Sequence, residues 1–565
     1  MTKSYFHRGG ESALLGLTIA EHFSNIVARY PEQLAVISEP QKQQLSYSQL
    51  SEQIDRVAKA LLSYGYVKGD RIGIWSTNNI QWILIQLATA RIGAILVNIN
   101  PAYRPQELEY ALKQSKVQCL LTIPAFKKSH YLDMLLELCP ELHHCSSNNI
   151  NSEKLPDLRQ IIVYDPLLPQ QTIVPCPGFC SWQTFLAEAE NISQNQLEQI
   201  TAKLDCDDAI NIQYTSGTTG FPKAVVLTHH NILNNAWFAA QAMHFDEHDR
   251  LCISVPFYHC FGMVISNLLC FSVGACAVIP CDYFDPEAVL LAIEKYQCTA
   301  LHGVPTMFIA ELEDKNFQQY KLDSLRTGIM AGAPCPSELM QRVMQEMHCN
   351  EILIGYGETE ASPLTHLTTR EDSLQRRTQT VGHNLPHQEV KVIDIDNNQT
   401  VAIGESGEIC FRGYHIMQGY YNNAEATAVA IDAQGWLHSG DLGVMDKEGY
   451  ISITGRLKDM IIRGGENIYP REIEDYIFSH PKVAEVAVFG VPDKFYGEQL
   501  VAWIQLHDGE KCDEQEIRDY CLGKLSHFKI PHTICFVNEF PMTVTGKLQK
   551  FEMRKQMLKQ LKSDH

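Results

Sequence analysis

One stretch rich in glycine and hydroxyl side chains sets the organisation of this chain: Tyr214-Thr215-Ser216-Gly217-Thr218-Thr219-Gly220-Phe221-Pro222-Lys223-Ala224-Val225-Val226-Leu227-Thr228-His229. An apolar, strand-like run precedes it, and a β-branched run and then a helix from about Asn231 follow it. Glycine lets successive backbone N–H groups turn toward one anion, and serine and threonine add hydroxyl donors. Lys223 adds a mobile positive charge that suits phosphate. The stretch therefore predicts a phosphate-binding loop.

The spacing of this loop differs from the kinase-type P-loop, in which lysine directly follows the second glycine and a serine or threonine follows the lysine. Here Phe221 and Pro222 separate Gly220 from Lys223, and Ala224 follows. A surface loop of ordinary turn residues that joins two strands is the alternative interpretation of this stretch taken alone.

Length, charge and cysteine usage limit the class of protein. The 565 residues suit several domains, because a domain averages about 150 residues. The net charge of −20 argues against nucleic acid or an anionic membrane as a general partner. The 18 cysteines show no repeated spacing, which is typical of reduced thiols. We therefore predict a cytoplasmic protein that has no nucleic acid as its partner.

No targeting or membrane-spanning segment is expected. Residues 1–16 lack a charged start followed by a long apolar run, so no secretory signal is predicted. The apolar regions 80–97 and 264–281 are interrupted by polar residues and glycine. Each is predicted to be a buried helix followed by a core strand.

The hydrophobic pattern alternates between strand and helix over much of the chain. Strands are predicted at 71–75, 95–97 and 117–121, with helices at 80–91 and 105–113 between them. This alternation is typical of a parallel sheet with helices on its faces. Beyond residues 455–459 the pattern indicates a smaller unit with its own helices and strands.

Two later motifs follow predicted core strands: Ala331-Gly332-Ala333-Pro334 and Gly355-Tyr356-Gly357-Glu358-Thr359-Glu360. Ligands of open α/β sheets bind beyond the carboxyl ends of the strands. An aromatic ring between two glycines can lie flat against a planar base, and a carboxylate is the hard oxygen ligand that Mg²⁺ prefers. A simple turn at a strand end is the alternative for the second motif in isolation.

Four further segments combine polar or charged residues with glycine, proline or aromatic residues. They are Pro256-Phe257-Tyr258-His259-Cys260-Phe261-Gly262, His438-Ser439-Gly440-Asp441, the run from Ile461 to Pro470 that includes Gly464-Gly465-Glu466, and Pro541-Met542-Thr543-Val544-Thr545-Gly546-Lys547-Leu548. Three of them have an alternative interpretation when taken alone. His259 would be a structural histidine, Asp441 a turn residue and Lys547 a solvated lysine.

Taken in order, these motifs resemble the adenylate-forming (AMP-binding) superfamily of acyl-CoA synthetases, luciferases and peptide-synthetase adenylation domains. The resemblance extends from about Leu17 to Arg554, and residues 256–262, 463–472 and 541–550 are most similar to medium-chain-type fatty acyl-CoA synthetases. One position departs from the pattern, because the family usually has glycine where this chain has Ala224.

The resemblance implies a fold and two domains. It implies an α/β protein whose large N-terminal domain, residues 1–457, has stacked, mostly parallel sheets and a small antiparallel section. A small, mobile α+β C-terminal domain, residues 458–565, would follow. The smaller domain would rotate about a hinge near Lys458, since hinges often lie at element ends.

The resemblance also implies residue roles. Tyr356 would stack on adenine, Thr359 would contact the α-phosphate and Glu360 would hold Mg²⁺. Asp441 would bind the ribose with Arg456 as its neighbour, and His259 would gate the passage between the acyl pocket and the thiol tunnel. Lys223 and Lys547 would act in catalysis. The other residues expected at the nucleotide or at CoA are Thr215, Ser216, Gly217, Thr218, Thr219, Gly220, Gly332, Ala333, Pro334, Gly355, Gly357, Lys458, Gly464, Gly465 and Glu466.

The implied activity joins a fatty, medium-chain carboxylic acid to CoA at the expense of ATP, with Mg²⁺ as cofactor. Two alternatives stay open: an adenylating ligase that loads a separate carrier protein, and a non-catalytic nucleotide-binding protein on the same fold. The resemblance admits a homodimer.

Overall fold

The computed structural model describes residues 2–168, 171–172, 174–215, 222–463, 466–493, 495–542 and 548–563. Contacts divide the chain into two compact units. The larger unit comprises His7–Glu389 and Phe411–Leu437, and the smaller comprises Met1–Phe6, Val390–Cys410 and His438–His565. The domain boundary expected between residues 457 and 458 stays a prediction.

The strands are, in chain order, β1 (Tyr5–His7), β2 (Leu34–Ser38), β3 (Gln43–Ser46), β4 (Arg71–Trp75), β5 (Ile95–Ile99), β6 (Cys119–Thr122), β7 (Ala125–Phe126), β8 (Ser129–His130), β9 (Gln160–Val163), β10 (Phe179–Ser181), β11 (Ala209–Thr215), β12 (Lys223–Thr228), β13 (Arg250–Ile253), β14 (Cys276–Ile279), β15 (Ala300–Gly303), β16 (Thr327–Ala331), β17 (Glu351–Gly357), β18 (Leu364–Leu367), β19 (His383–Asn384), β20 (Gln388–Ile393), β21 (Ser406–Gly413), β22 (Gly419–Tyr420), β23 (Leu437–Met445), β24 (Ile451–Arg456), β25 (Ile461–Arg463), β26 (Glu466–Ile468), β27 (Val483–Asp493), β28 (Gly497–Leu506) and β29 (Thr533–Phe536).

The helices are α1 (Ile19–Arg29), α2 (Tyr47–Ser63), α3 (Ile80–Ile92), α4 (Pro105–Gln114), α5 (Tyr131–Leu138), α6 (Trp182–Ala187), α7 (Gln194–Thr201), α8 (His229–Ala242), α9 (Cys260–Gly262), α10 (Leu269–Val273), α11 (Pro286–Tyr296), α12 (Pro305–Leu312), α13 (Ser337–Glu346), α14 (Leu374–Gln379), α15 (Ala424–Ala430), α16 (Pro470–Phe478), α17 (Glu514–Cys521) and α18 (Lys550–Ser563). A π-helical turn, Met263–Leu268, joins α9 to α10.

Two large, mostly parallel sheets form the larger unit. The eight-stranded sheet has the order β10-β9-β6-β4-β5-β11-β12-β22, and only β12 and β22 at one end join it in antiparallel fashion. The nine-stranded sheet has the order β19-β18-β17-β16-β15-β13-β14-β2-β3, in which β17 through β2 are parallel. This arrangement brings the ends of β16 and β17 to one edge.

Buried helices separate these two sheets. In α3 every residue except Arg91 is buried, and the Asn79 side chain accepts the Trp82 N–H at its start. Helix α8 contacts β12 of one sheet and β18 of the other. Its Asn235 amide donates to the Leu364 carbonyl at 2.7 Å. Helices that are apolar on all sides are typical of the middle layer of a stack, so the predicted stacked α/β architecture is confirmed.

The smaller unit contains most of the sheet β1-β20-β21-β23-β24 and all of a second five-stranded sheet, β26-β25-β28-β27 with β29 beside β28. The second sheet has a core on each face. One core includes Ile473 and Ile477 of α16, and the other includes Met553 and Met557 of α18. This α+β unit agrees with the predicted fold class.

The structure refines several sequence-based bounds. Residues 80–97 form α3 and β5, and residues 264–281 form the π turn, α10 and β14, as expected for core elements. Within the described part of the chain, no helix has the length and apolar character that a membrane span requires. The sequence predicts a core strand over residues 351–354, and β17 runs on to Gly357 because β18 pairs with it there.

Candidate active site

Both ends of the phosphate-loop stretch are held in an antiparallel pair. Thr215 ends β11 and Lys223 begins β12, and the two residues face each other across the pair. Ser216, Gly217, Thr218, Thr219 and Gly220 lie outside the described residues. The predicted loop thus connects two adjacent strands, and the small residue Ala224 is buried opposite Tyr214.

Two tyrosines fix the base of this loop to α4. The Tyr214 hydroxyl donates to the Ala111 carbonyl at 2.7 Å and also contacts Gln114 Oε1 at 2.9 Å. The Tyr110 hydroxyl donates to the Pro222 carbonyl at 3.2 Å. Burial raises the pKa of Tyr214 well above its usual range, so its hydroxyl stays a donor at neutral pH. The sequence analysis did not identify either anchor.

The other nucleotide motifs of the larger unit lie at one edge of the nine-stranded sheet. Ala331 of β16 pairs with Gly355 of β17, so Gly332, Ala333 and Pro334 leave the sheet beside Tyr356. Gly332 has φ +86°, in the region that favours glycine, and these three residues are exposed. This edge matches the expected position of a ligand in an open α/β sheet.

Two glycines at the end of β17 leave no room for a side chain, because neighbouring segments pack closely against their Cα atoms. A Cβ on Gly357 would lie 1.9 Å from the Pro363 carbonyl oxygen. A Cβ on Gly355 would lie 2.9 Å from Ile329 Cγ2. Between these glycines the half-buried Tyr356 ring lies 6.0 Å from the ring of His366 and 6.1 Å from that of Phe411. The motif therefore presents an aromatic side chain from a tightly packed strand end.

Thr359 and Glu360 lie in the short helical turn that follows β17. Thr359 is buried and Glu360 is half-buried. Burial raises the pKa of Cys260, the Glu360 carboxylate raises it further, and a hydrogen bond with Thr359 opposes that effect. The turn therefore lies close to Cys260, the residue that follows His259.

His259 caps α9. Its Nδ1 accepts the Phe261 backbone N–H at 3.2 Å, which leaves the proton of a neutral ring on Nε2. The ring is half-buried and its orientation is fixed by this bond.

Lys223 and Glu360 share a neighbour that the sequence analysis missed. The Lys223 ammonium nitrogen lies 4.7 Å from the centroid of the Tyr420 ring. The Tyr420 hydroxyl donates to Glu360 Oε1 at 2.9 Å. No local motif marks Tyr420, because its partners are distant in sequence.

The smaller unit carries the predicted ribose ligand. Asp441 is buried, and its Oδ1 lies 3.0 Å from Nε of Arg456, its partner across the β23–β24 pair. The Ser439 hydroxyl oxygen accepts the Asp441 N–H at 3.0 Å. The predicted neighbour relation of Asp441 and Arg456 is thus present in the structure.

Glu408 organises the turn before Asp441. Its two carboxylate oxygens contact His438 Nδ1 at 2.8 Å and accept the Gly440 N–H at 3.0 Å. Gly440 has φ +68°, which few other residues adopt readily. Glu408 therefore stabilises the motif, although the sequence analysis did not single it out.

The remaining predicted residues are described in part. Lys458 is exposed in a short helical turn, Leu457–Asp459. Glu466 begins β26. Gly464, Gly465 and Lys547 lie outside the described residues, so their predicted roles stay predictions.

Comparison with known proteins identifies the family. Residues 23–421 match the model of the AMP-binding enzyme family, and residues 472–547 match that of the AMP-binding enzyme C-terminal domain. A putative acyl-CoA synthetase of Bacillus subtilis, YngI, is 46% identical over 545 residues, which cover 96% of this chain and 98% of that protein. The mitochondrial medium-chain acyl-CoA ligase ACSF2 of Danio rerio is 40% identical over 563 residues, which cover 99% of this chain and 92% of that protein.

Among solved structures, ATP-bound MatB from Rhodopseudomonas palustris superimposes with a TM-score of 0.82 at 25% identity, covering 96% of this chain and 99% of that one. The family models, the full-length relatives and the shared fold agree with the motif order along the chain. The chain therefore belongs to the AMP-binding enzyme family and carries both the large domain and the C-terminal domain of that family.

Proposed function

We propose that this chain is an AMP-forming acyl-CoA synthetase that activates a medium-chain fatty acid. Relatives named as acyl-CoA synthetases match it over nearly their whole length, and they confirm the predicted class of acid–thiol ligase with ATP and CoA as substrates. The observation that carries the proposal is the meeting of two family motifs in the larger unit, where Tyr420 contacts both Lys223 and Glu360.

The proposed reaction has two halves. The carboxylate of the fatty acid attacks the α-phosphorus of ATP, and pyrophosphate leaves. The CoA thiol then attacks the acyl-adenylate, and AMP leaves. Negative charge builds on phosphate oxygens in the first half, and Lys223, Lys547 and loop N–H groups would stabilise it electrostatically.

The described residues fit the expected Mg²⁺ ion. Glu360 is a half-buried carboxylate, and Tyr420 donates to one of its two oxygens. Such a carboxylate is a suitable hard oxygen ligand. When bound, Mg²⁺ would offset charge on the phosphate oxygens. Glu360 would hold it, and Thr359 would orient the α-phosphate.

The nucleoside contacts follow from the motifs. Tyr356 would stack on adenine beside Gly332, Ala333 and Pro334, and Asp441 would accept hydrogen bonds from the ribose hydroxyls. The Asp441–Arg456 ion pair keeps that carboxylate oriented. His259, fixed through Nδ1, would stand between the acyl pocket and the thiol path.

The two half-reactions need different residues of the C-terminal domain at the same site. We propose that the C-terminal domain rotates about Lys458, which exchanges Lys547 for the Gly464–Glu466 segment. Lys458 is exposed in the short turn that follows β24, a position that suits a hinge. A cytoplasmic location stays part of this proposal, supported by the lack of a repeated spacing among the 18 cysteines. A homodimer also stays a prediction.

The proposal is tested by AMP formation from ATP with saturated carboxylic acids of graded length, with free CoA as acceptor. We expect acid-dependent AMP release with its highest kcat/KM in the medium-chain range. A preference for a carrier protein over CoA would favour the carrier-loading alternative. Absence of acid-dependent pyrophosphate exchange would favour the non-catalytic alternative.

A further inference from the structure

Tyr420 lies between two charged side chains that the proposed reaction uses. Its side chain is buried, with 9% exposure. The hydroxyl donates to Glu360 Oε1 at 2.9 Å, and the ring centroid is 4.7 Å from the Lys223 ammonium nitrogen. One side chain therefore contacts both the anion and the cation.

The backbone around Tyr420 is fixed to the same two elements. β22 pairs with β12, so that Tyr420 faces Val225, two residues after Lys223. The Tyr420 N–H donates to Thr427 Oγ1 at 2.9 Å. The Met417 N–H donates to the Glu360 carbonyl at 2.9 Å. The segment 417–420 thus ties β12 to the turn that carries Glu360.

Both contacts are of kinds that hold charged groups in place. A hydroxyl that donates to a carboxylate forms a charge-assisted hydrogen bond, about twice as strong as a neutral one. A cation over a tyrosine ring is attracted by the negative face of the ring, and more strongly where the pair is shielded from water. Burial and the nearby Glu360 carboxylate raise the pKa of Tyr420 well above its usual range, so the hydroxyl keeps its proton.

Lys223 and Glu360 carry opposite charges and would attract each other if they were free to meet. Within the described part of the chain, Lys223 contacts the Tyr420 ring and Glu360 accepts the Tyr420 hydroxyl, and the two charged groups form no ion pair with each other. A direct pair would neutralise the cation proposed to face phosphate and the anion proposed to hold Mg²⁺. Tyr420 offers each group another partner.

We propose that Tyr420 is a positioning residue for adenylate formation, which keeps the Glu360 carboxylate and the Lys223 ammonium apart and oriented toward Mg²⁺ and phosphate. This inference rests on the proposed function of those two residues. Tyr420 itself takes no part in bond formation. It acts through the geometry of its neighbours.

Three variants separate the contribution of the Tyr420 hydroxyl from that of its ring. Tyr420→Phe keeps the ring under Lys223 and removes the donor to Glu360, whereas Tyr420→Leu removes both. Tyr421→Phe is the matched control, because it deletes the same hydroxyl from the next residue. Each is titrated with a non-cleavable ATP analogue by calorimetry, with and without Mg²⁺, and is assayed by ATP–pyrophosphate exchange.

We expect Tyr420→Phe to bind the metal-free analogue like the wild type and to need about tenfold more Mg²⁺ for the tighter complex, which corresponds to about 1.4 kcal/mol. Tyr420→Leu should also weaken metal-free binding and slow exchange by roughly 100-fold, a loss typical of a displaced charge-stabilising group. Tyr421→Phe should match the wild type in both measurements.

An unchanged Mg²⁺ requirement in Tyr420→Phe would overturn the inference. The inference would also be overturned if both Tyr420 variants lost binding and exchange activity to the same extent and that loss matched a fall in their melting temperature. If the wild type binds the analogue but catalyses no exchange with any acid, the proposed function fails, and the Mg²⁺ dependence of binding still decides the role of Tyr420.

Discussion

Lys223 is the residue proposed to place a positive charge against the transferring phosphate. Lys223→Ala removes a positive charge expected to face the transferring phosphate. We expect pyrophosphate exchange to fall roughly 100-fold or more, because loss of one such stabilising group costs a few kcal/mol. Lys321→Ala, at an exposed lysine, is the control. A folded Lys223→Ala protein with normal exchange would remove Lys223 from the mechanism.

The types and order of the residues were enough to predict the charged groups of the site. They did not predict the side chains that hold those groups in place. Lys223, Glu360 and Asp441 stand in recognisable motifs. Tyr420 acts on Glu360 from 60 residues away, through a strand pair that no local pattern predicts. The same holds for the Tyr214 anchor on α4, which lies about 100 residues earlier in the chain.

At the scale of elements, the end of β17 depends on a glycine. In Gly357→Ala the new methyl group would meet the Pro363 carbonyl oxygen at 1.9 Å, so the strand end must move. We expect a loss of about 1–3 kcal/mol in stability and a higher KM for ATP. Gly16→Ala is the control, since a Cβ there has nothing within 4 Å. Equal KM values in the two variants would contradict this account.

A buried histidine in the first turn of α8, His229, is expected to make the stability of the fold depend on pH. His229 is fully buried and its Nδ1 accepts the Ile19 N–H at 3.2 Å. Burial lowers the pKa of His229 to about 4. Between pH 6.5 and 4 the unfolded chain binds a proton that the folded chain does not, so stability falls as pH falls, by up to about 3 kcal/mol from this group.

His229→Asn is the variant that tests this effect, because its Oδ1 can replace Nδ1 as the acceptor without titrating. The melting temperature of the wild type should fall more steeply than that of the variant between pH 6.5 and 4. Parallel curves would show that His229 does not contribute.

Elements with clear end signals were predicted closely, and the rest needed tertiary pairing. The Asn79 side chain caps the start of α3, and Thr18 with Glu21 forms a capping box at the start of α1; both signals are recognisable from residue type and spacing. By contrast, α8 begins two residues before its predicted start, where Thr228 accepts the Asn231 N–H. The added length of β17 comes from its antiparallel neighbour β18.

At the scale of the whole molecule, the proposed rotation of the C-terminal domain predicts that single substitutions in this domain can slow one half-reaction and spare the other. Lys547→Ala should slow acyl-adenylate formation severely but transfer a supplied acyl-adenylate to CoA at nearly the wild-type rate. Gly465→Leu should do the reverse, because its bulk would obstruct the thiol path. A difference of about tenfold, or roughly 1.4 kcal/mol, is decisive. If both variants slow both halves equally, a single fixed arrangement of the site is the better account.

The central claim is that this chain makes acyl-CoA through an acyl-adenylate, and the most direct measurement is the product balance of one reaction. ATP, CoA and the preferred medium-chain acid are incubated with the wild type, and nucleotides, pyrophosphate and thioester are quantified together. We predict AMP, pyrophosphate and acyl-CoA in equal amounts. Release of ADP and phosphate, or AMP formation without any CoA thioester, would contradict the account.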